Sequence, residues 1–422
     1  MSSLAKAVIP HIIDQHAEEA AFLWLLREDA VNAPHYDLDD LCQLDARVDA
    51  HLDGLRIAGD YAWQVCRENL QIKEPGEVFA AAILALEGRS VERINQVYAI
   101  VAEQPDTMNG LISAFGWVDA QNLQGKVNGL LVSANPFWRQ VGIAACVTHR
   151  VDPGKFLVQA LADDNIALKV RALQAVGELG RIDLKATLTA HLQHENREVC
   201  FWAAWSSVLV GDRGSALNHL RLAIMQNSAC CLAAMQVALP VLDSAQVKAV
   251  LKVLADNVET RRMAIIGAGL SCDPVYIPWL LQQMQVATFA KVAGEAFSQL
   301  CGVDLAYQDM EMDAPEEADA GPTENPEDES VALDADEDLP YPDPIKVQQW
   351  WQHNQQHFKP ELRYLYGKPV SVAQSLWVLQ QGTQRLRYAA AIQLALARPA
   401  QALFAVHELG RRQQQQLKSW VV

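Results

Sequence analysis

Two pairs of a histidine and a nearby carboxylate are the side chains of this sequence that best suit metal binding or acid–base catalysis. His16 stands three residues before Glu19, and His51 stands two residues before Asp53. Residues three apart share a helix face, so His16 and Glu19 could hold one ion or exchange a proton. The spacing differs from H-E-x-x-H, however, and the sequence shows no third ligand. We favour structural histidines at a helix interface, with a His16/Glu19 metal or acid–base site as the alternative.

Other catalytic motifs are missing from the sequence. It contains no G-x-S-x-G nucleophile motif, no P-loop and no Rossmann glycine string. The glycines of Gly177-x-x-Gly180 are expected to end a helix and not to hold a phosphate. His191 and His194 are expected to be polar surface residues. We therefore predict a protein that is not an enzyme and that binds no cofactor and no metal.

A helical repeat with a period near thirty residues is the clearest pattern of the chain. The stretch from Asp163 to Gly180 begins with polar residues, continues with apolar residues at helical spacing and ends with glycine. Corresponding helices are expected to start near residues 135, 164, 195, 227, 256 and 287, which are 29 to 32 residues apart. This period is typical of one pair of short helices per repeat, and each pair must stack on its neighbours to bury its apolar stripe.

These repeats resemble HEAT repeats, in particular the short variety found in phycobilisome-lyase-like HEAT proteins. The residues that carry the resemblance are a polar turn and the helix after it: Asp163, Asp164, Val170-Arg171, Ala172, Ala175 and Gly177-Glu178-Leu179-Gly180. The resemblance covers residues 135–302, with a further copy at 370–400, and implies an α-solenoid. Some lyase-like members act on bilin chromophores, so an enzyme of that group is an alternative function, although no residue here indicates a bilin site.

The resemblance also implies where a partner would bind. In HEAT-like solenoids the second helix of each repeat lines the concave face, and Trp and Arg often carry the binding energy of interfaces. The predicted partner-binding residues lie on successive second helices: Trp138, Arg139, Lys169, Arg171, Phe201, Trp202, Trp205, Arg261 and Arg262. Two other interpretations stay open. Trp202 and Trp205 are three residues apart and also suit a core, and Arg171 suits a brace to the acidic turn of a neighbouring repeat.

The acidic residues are concentrated in one segment. The formal net charge is −17, but 16 of the 51 acidic residues lie between Asp304 and Asp343, a stretch without lysine or arginine. The remaining 35 acidic residues are balanced by 34 basic ones. Neutralising the phosphates of a nucleic acid requires a basic face, and the basic runs here are short pairs such as Arg261-Arg262. We therefore predict that the protein does not bind nucleic acid.

Cysteine usage and hydropathy predict a cytoplasmic protein without membrane association. None of the eight cysteines forms a C-x-x-C pair, and most stand in apolar helical runs, which is typical of buried free thiols. The N-terminal residues lack the apolar stretch of a signal peptide. No run of apolar residues is long enough to span a membrane.

The patterns divide an all-α chain into four segments. We predict an N-terminal helical cap at 1–130, a HEAT-like repeat solenoid at 131–302, an acidic disordered linker at 303–344 and a C-terminal helical segment at 345–422 whose Gln-rich end frays. The acidic stretch has many prolines and few large apolar residues, so it cannot offset the entropy of ordering. It would serve as a spacer or as a decoy for a basic partner, and the spacer is favoured because charge runs are usually solvated.

Three N-terminal stretches have a distinctive sequence: QHAEEAAFLW at 15–24, PHY at 34–36 and LDARVDAHLDGLR at 44–56. They resemble the N-terminal signature of an uncharacterised proteobacterial family of HEAT-repeat proteins, whose genes lie beside those of type VI secretion spikes and effector-loading factors. The resemblance implies a role in toxin delivery or in protection from a toxin. We predict a non-catalytic protein-binding scaffold, in its most concrete form an adaptor or immunity-like accessory of type VI secretion. A spike component or a toxin would be its partner on the concave face.

Overall fold

The described part of the chain folds mainly into α-helices, as its periodicity predicts. A computed structural model describes residues 8–315 and 336–420. Within these residues it contains 22 α-helices and one short antiparallel β-hairpin. None of the helices in this part of the chain is long and apolar enough to cross a membrane. The all-α prediction is confirmed, and the described residues form two compact units.

Unit 1 joins the described residues up to Leu179 with those from Ala405 onward. Its helices are α1 (Pro10–Ala30), α2 (Leu38–Ala58), α3 (Asp60–Asn69), α4 (Pro75–Glu87), α5 (Val91–Glu103), α6 (Met108–Trp117), α7 (Lys126–Leu131), α8 (Pro136–Thr148), α9 (Lys155–Leu161), α10 (Ile166–Glu178) and α22 (Gly410–Trp420).

Aromatic side chains occupy the centre of unit 1. The ring of Phe79 on α4 stacks on Trp24 with 5.4 Å between centroids and meets the edge of Trp117 at 5.3 Å. Both indole nitrogens are satisfied, because Trp24 donates to the Ser113 hydroxyl at 2.8 Å and Trp117 donates to the Asp49 carboxylate at 2.8 Å. These contacts join α1, α2, α4 and α6 around one core.

Unit 2 comprises Gly180 to Phe404. Its elements are α11 (Lys185–His191), α12 (Arg197–Leu209), α13 (Ser215–Met225), α14 (Cys231–Ala238), α15 (Ser244–Ala255), α16 (Val258–Leu270), α17 (Ile277–Gln283), α18 (Ala287–Cys301), α19 (Pro344–Asn354), β1 (Tyr364–Leu365), β2 (Lys368–Pro369), α20 (Val372–Gln381) and α21 (Gln384–Ala397). The hairpin pairs Tyr364 with Pro369 and Leu365 with Lys368.

The hairpin of unit 2 satisfies backbone groups at helix ends. The amide of Tyr364 donates to the carbonyl of Cys272 at 2.6 Å, and that of Tyr366 donates to Gln299 at 2.7 Å. The Arg363 guanidinium donates to the carbonyls of Leu239 and Leu242, which follow α14. The last carbonyls of a helix lack intrahelical partners, so these bonds replace water there.

Helices lie near all six positions at which the sequence pattern predicts a helix start. They are α8, α10, α12, α14, α16 and α18, and five of them begin within three residues of the expected start. The fourth, α14, begins at Cys231. Four of the six begin after an asparagine whose side chain accepts from a first-turn amide, for example Asn135 from Phe137 at 3.0 Å and Asn196 from Glu198 at 2.9 Å. This is the capping predicted from the polar turns.

The expectation of a disordered linker at 303–344 is wrong for both ends of that segment. Val303 and Leu305 are buried, and so is Leu339. The amide of Asp343 donates to the Met310 carbonyl at 2.8 Å, and the Asp336 carboxylate accepts from Arg262. Apolar side chains and specific backbone bonds therefore order the two flanks of the acidic stretch. The rest of the segment predicted to be disordered, 316–335, lies outside the described residues.

The expected C-terminal segment at 345–422 does not form one piece, because its described residues are divided between the two units. The boundary expected at 130/131 likewise falls inside unit 1. Fraying of the Gln-rich end is also a wrong expectation, since α22 packs against α2 and buries Gln413 and Leu417. The Gln413 side-chain amide donates to the carbonyls of Val406 and Glu408. This glutamine therefore holds the turn before α22 and does not face solvent.

The cysteines are free thiols throughout the described residues. Five of the eight are buried: Cys66, Cys146, Cys231, Cys272 and Cys301. Burial in apolar surroundings raises the pKa of the Cys66 thiol to about 12, which keeps it protonated at neutral pH.

A buried ion pair fastens α22 to the rest of unit 1. Asp45 accepts from Arg27 Nε at 2.5 Å and from the Gly410 amide at 2.7 Å, while Arg27 also donates to the carbonyls of His407 and Glu408 at 3.1 Å. Both side chains are buried, so removing one leaves the other charge unpaired.

We expect Asp45→Asn to lower the free energy of opening of α22 by about 3–5 kcal/mol. Native-state hydrogen exchange of the α22 amides measures this change. The matched control is Asp53→Asn on the same helix, because Asp53 is 65% exposed and its pair with Arg56 is worth at most about 1 kcal/mol. Equal protection of α22 in the two variants would show that the Asp45 pair does not fasten this helix.

Candidate partner-binding groove

The two arginines predicted on α8 and α10 are used inside unit 1. Arg139 donates to the carbonyl of Ser133 at 2.8 Å and to the Asp163 carboxylate at 2.5 Å. Arg171 donates to Glu178 on its own helix at 2.7 Å. Bracing of the next acidic turn is therefore found at Arg139, whereas it was considered for Arg171. Both guanidinium groups therefore form hydrogen bonds that stabilise the fold of unit 1.

Three more of the predicted binding residues are buried. Phe201 is 8% exposed, Trp205 is 4% exposed and Lys169 is 9% exposed. Trp202 is half-buried and lies edge-on to both Phe201 and Trp205, at centroid distances of 5.0 and 5.5 Å. The interpretation of Trp205 as a core residue is thus correct, and a partner could not reach it without opening α12.

The pair Arg261 and Arg262 on α16 also has partners within unit 2. Arg261 donates to the Ala255 carbonyl at 3.2 Å, and its guanidinium lies 5.9 Å from the centre of the Phe289 ring. Arg262 forms an ion pair with Asp336. Each arginine therefore holds a neighbouring segment of the chain in place.

Trp138 lines an open cavity of unit 1. Its ring lies 4.8 Å from that of Tyr98 on α5. The cavity has a volume of about 580 Å³, within the range of about 300–1,000 Å³ that is usual for ligand pockets. We call it the aromatic groove and define it by six of its lining residues: Arg89, Ile94, Tyr98, Lys126, Leu130 and Trp138.

Three helices position the walls of the aromatic groove. On α5 the Ser90 hydroxyl accepts from the Arg93 amide and starts the helix that carries Tyr98. Helices α7 and α8 touch closely, because a Cβ atom at Gly142 would lie 3.1 Å from atoms of Leu130 and Leu131. This close approach sets the distance between the short α7 and the helix that carries Trp138.

The polar part of the aromatic groove is cationic. Arg89 donates to the side-chain oxygen of Asn122 at 3.0 Å, and Lys126 donates to the Asn122 carbonyl at 2.7 Å. Burial, and secondly the nearby Arg89 charge, lower the pKa of the Lys126 ammonium. Burial raises the pKa of the Tyr98 phenol, which stays neutral. The groove lining contains no carboxylate.

Sequence reasoning identified only Trp138 of these residues. Helix α7 was not predicted, because it is six residues long and contains Gly129. The one sequence feature that pointed toward the groove was Val91, an apolar residue at the start of α5. In the structure its side chain is 72% exposed. An exposed valine beside an aromatic residue on one helix is compatible with a groove but does not identify one.

Comparison with known proteins adds no further constraint on the site. No family model, no curated protein and no solved structure matches this chain.

The histidines considered for catalysis meet at a separate place in unit 1. The Nδ1 atoms of His16 and His51 lie 3.2 Å apart, which joins α1 to α2. Such a hydrogen bond needs a lone pair on one ring, so it cannot form when both rings are protonated. The His16 ring also packs on Gly54, where a Cβ atom would lie 2.4 Å away. Among the described residues, no group of three or more His, Cys, Asp or Glu side chains is arranged to hold a metal ion.

The surroundings of the His51 imidazole disfavour its protonation. Burial and the neighbouring His16 lower its pKa, with Arg47 acting in the same direction and Glu19 acting against them. The unfolded chain therefore binds more protons than the folded chain as the pH falls through about 6.5. The free energy of unfolding consequently decreases on acidification below that pH.

We expect His51→Gln to reduce the loss of thermal stability between pH 7 and pH 5, because the variant lacks the shifted group while keeping a polar partner for His16. Thermal midpoints measured at several pH values test this. The control is His11→Gln, an exposed histidine on α1 that should leave the pH dependence unchanged. An identical pH profile for His51→Gln and the natural protein would contradict the assignment.

Proposed function

We propose that this chain is a non-catalytic protein-binding scaffold that holds a segment of a partner protein in the aromatic groove. The observation that carries the proposal is the open cavity at the Tyr98–Trp138 pair, where two large rings remain accessible beside exposed apolar surface. Tryptophan and tyrosine in such pockets are the residues that most often dominate interface energy. The concave-face surface considered at first is supported at Trp138 only.

A HEAT-like stacking of helix pairs is the proposed framework for this role. In unit 1, α8 packs against α10, and in unit 2, α14 packs against α12 and α16, while α16 packs against α18. Packing of successive second helices in chain order, with a shorter partner helix between them, supports the repeat interpretation. Stacked pairs of this kind offer elongated binding surfaces without any catalytic requirement.

The most concrete version of the scaffold role is an accessory of type VI secretion, acting as an adaptor or as an immunity-like protein. This version rests on the resemblance of the N-terminal stretches at 15–24, 34–36 and 44–56. A spike component or a toxin is then the proposed partner, and the cytoplasm is the proposed compartment. The aromatic groove serves an adaptor and an immunity-like protein equally well.

We expect Trp138→Ala to weaken binding of the partner by roughly 30-fold, which corresponds to the loss of about 2 kcal/mol typical of an interface hot spot. The partner is isolated from native lysate on the natural protein and identified, and its dissociation constant is then measured with purified components. The control is Trp377→Ala, which removes a tryptophan that is 41% exposed on α20.

Circular dichroism and thermal midpoints establish that both variants are folded. Retention of the same partner with the same affinity by the folded Trp138→Ala variant would refute the groove as the binding site. Identification of the partner as a spike component or a toxin supports the secretion version, and an unrelated partner argues against it.

A further inference from the structure

The charge of the aromatic groove is opposite to that of the chain. The protein has a formal net charge of −17. The groove lining nevertheless includes the cations Arg89 and Lys126 and no acidic side chain. A lining with two cations and no anion selects against cationic ligands and in favour of anionic ones.

The two cations are held near each other by a neutral residue. Both donate to Asn122, Arg89 to its side-chain oxygen and Lys126 to its carbonyl. Asn122 brings no negative charge, so the repulsion between the two cations is not compensated there. Burial, and secondly this Arg89 charge, lower the pKa of Lys126. A carboxylate placed between them would relieve the repulsion and accept charge-assisted hydrogen bonds.

The apolar part of the aromatic groove has room for a large side chain. Gly125 and Gly129 line it, and a Cβ atom at either position would meet no other atom within 4 Å. Tyr98 and Trp138 offer ring faces and edges to an incoming aromatic ring. The volume of about 580 Å³ accommodates such a ring together with its flanking residues.

We propose that the aromatic groove binds an acidic segment of a partner protein in which an aromatic side chain is flanked by carboxylates. The aromatic ring packs on Tyr98 and Trp138, and a neighbouring carboxylate lies between Arg89 and Lys126. This inference rests on the proposed scaffold function and specifies the chemistry of its partner. It also predicts that the groove prefers an acidic segment to a lysine-rich one, because a lysine-rich segment would place its cations against Arg89 and Lys126.

Three short capped peptides test the proposal on the full-length protein: Asp-Phe-Asp-Leu-Asp, Ser-Phe-Ser-Leu-Ser and Lys-Phe-Lys-Leu-Lys. Isothermal titration calorimetry measures each dissociation constant at low and at high salt. We expect the acidic peptide to bind at least tenfold more tightly than the lysine peptide at low salt. The difference should shrink at high salt, because these partly exposed charges are screened over about 3 Å at 1 M and about 10 Å at 0.1 M.

Two variants separate the contribution of charge from that of the apolar contact. Arg89→Gln/Lys126→Gln should abolish the preference for the acidic peptide over the serine and lysine peptides. The control, Lys248→Gln/Lys252→Gln, removes two exposed cations from α15 and should preserve the preference. Gly129→Leu should fill the groove and weaken all three peptides without loss of thermal stability, because leucine favours a helix more than glycine does.

Each outcome decides the proposal. Equal affinity for the acidic and lysine peptides, or an acidic preference that survives Arg89→Gln/Lys126→Gln, overturns it, and so does the absence of binding by the acidic peptide. The scaffold function is judged separately by the effect of Trp138→Ala on the isolated partner. If Trp138→Ala loses the partner but the peptides show no charge preference, the proposal of an acidic segment is refuted. The proposed scaffold function is then still supported.

Discussion

Close approach of short helices at small residues is the constraint on which this structure depends. A Cβ atom at Gly110 on α6 would lie 2.0 Å from the Pro75 carbonyl oxygen, so α6 and α4 touch through their backbones. The same holds for Gly76 on α4, where a Cβ atom would lie 2.7 Å from the Ala21 carbonyl oxygen on α1. Short helices bury too little apolar surface singly, and contacts of this kind let neighbouring helices share one core.

The aromatic groove is a consequence of the same constraint. Gly142 lets α8 approach Leu130 and Leu131 of α7 closely, and α7 is only six residues long. Helix α7 is therefore too short to cover the ring of Trp138 or the side of α5 that carries Tyr98. Two aromatic rings are left beside bare glycine surface and two cations. A packing arrangement that stabilises unit 1 thus also creates the aromatic groove.

Local sequence patterns predicted the helices but not their long-range partners. The polar turns and alanine spacing located helices such as α10, because capping and amphipathic periodicity act within a few residues. The use of Arg262 could not be predicted, since its partner Asp336 lies 74 positions away, within the acidic stretch. Likewise, burial of Gln413 depends on α22 packing against α2. From composition alone, both segments were expected to be exposed to solvent.

The candidate site shows the same limit. Trp138 was identified because it lies on a helix expected to line the concave face, and because tryptophan often carries the binding energy of interfaces. Tyr98 was not identified, because it comes from a helix outside the repeat and meets Trp138 only in the folded chain. Of the nine residues predicted to bind a partner, the buried ones and the paired arginines serve the fold instead. Residue type alone does not show which groups these side chains contact, because the tertiary structure decides it.

Site-specific photocrosslinking tests the central claim most directly. Val91 lines the groove and is 72% exposed, so p-benzoylphenylalanine in its place would lie within reach of a bound segment. Val258 on α16 is 64% exposed and provides the matched control position. Irradiation in native lysate should give one discrete crosslinked protein from position 91 and none from position 258. No product at position 91, or the same product from both positions, would contradict the account.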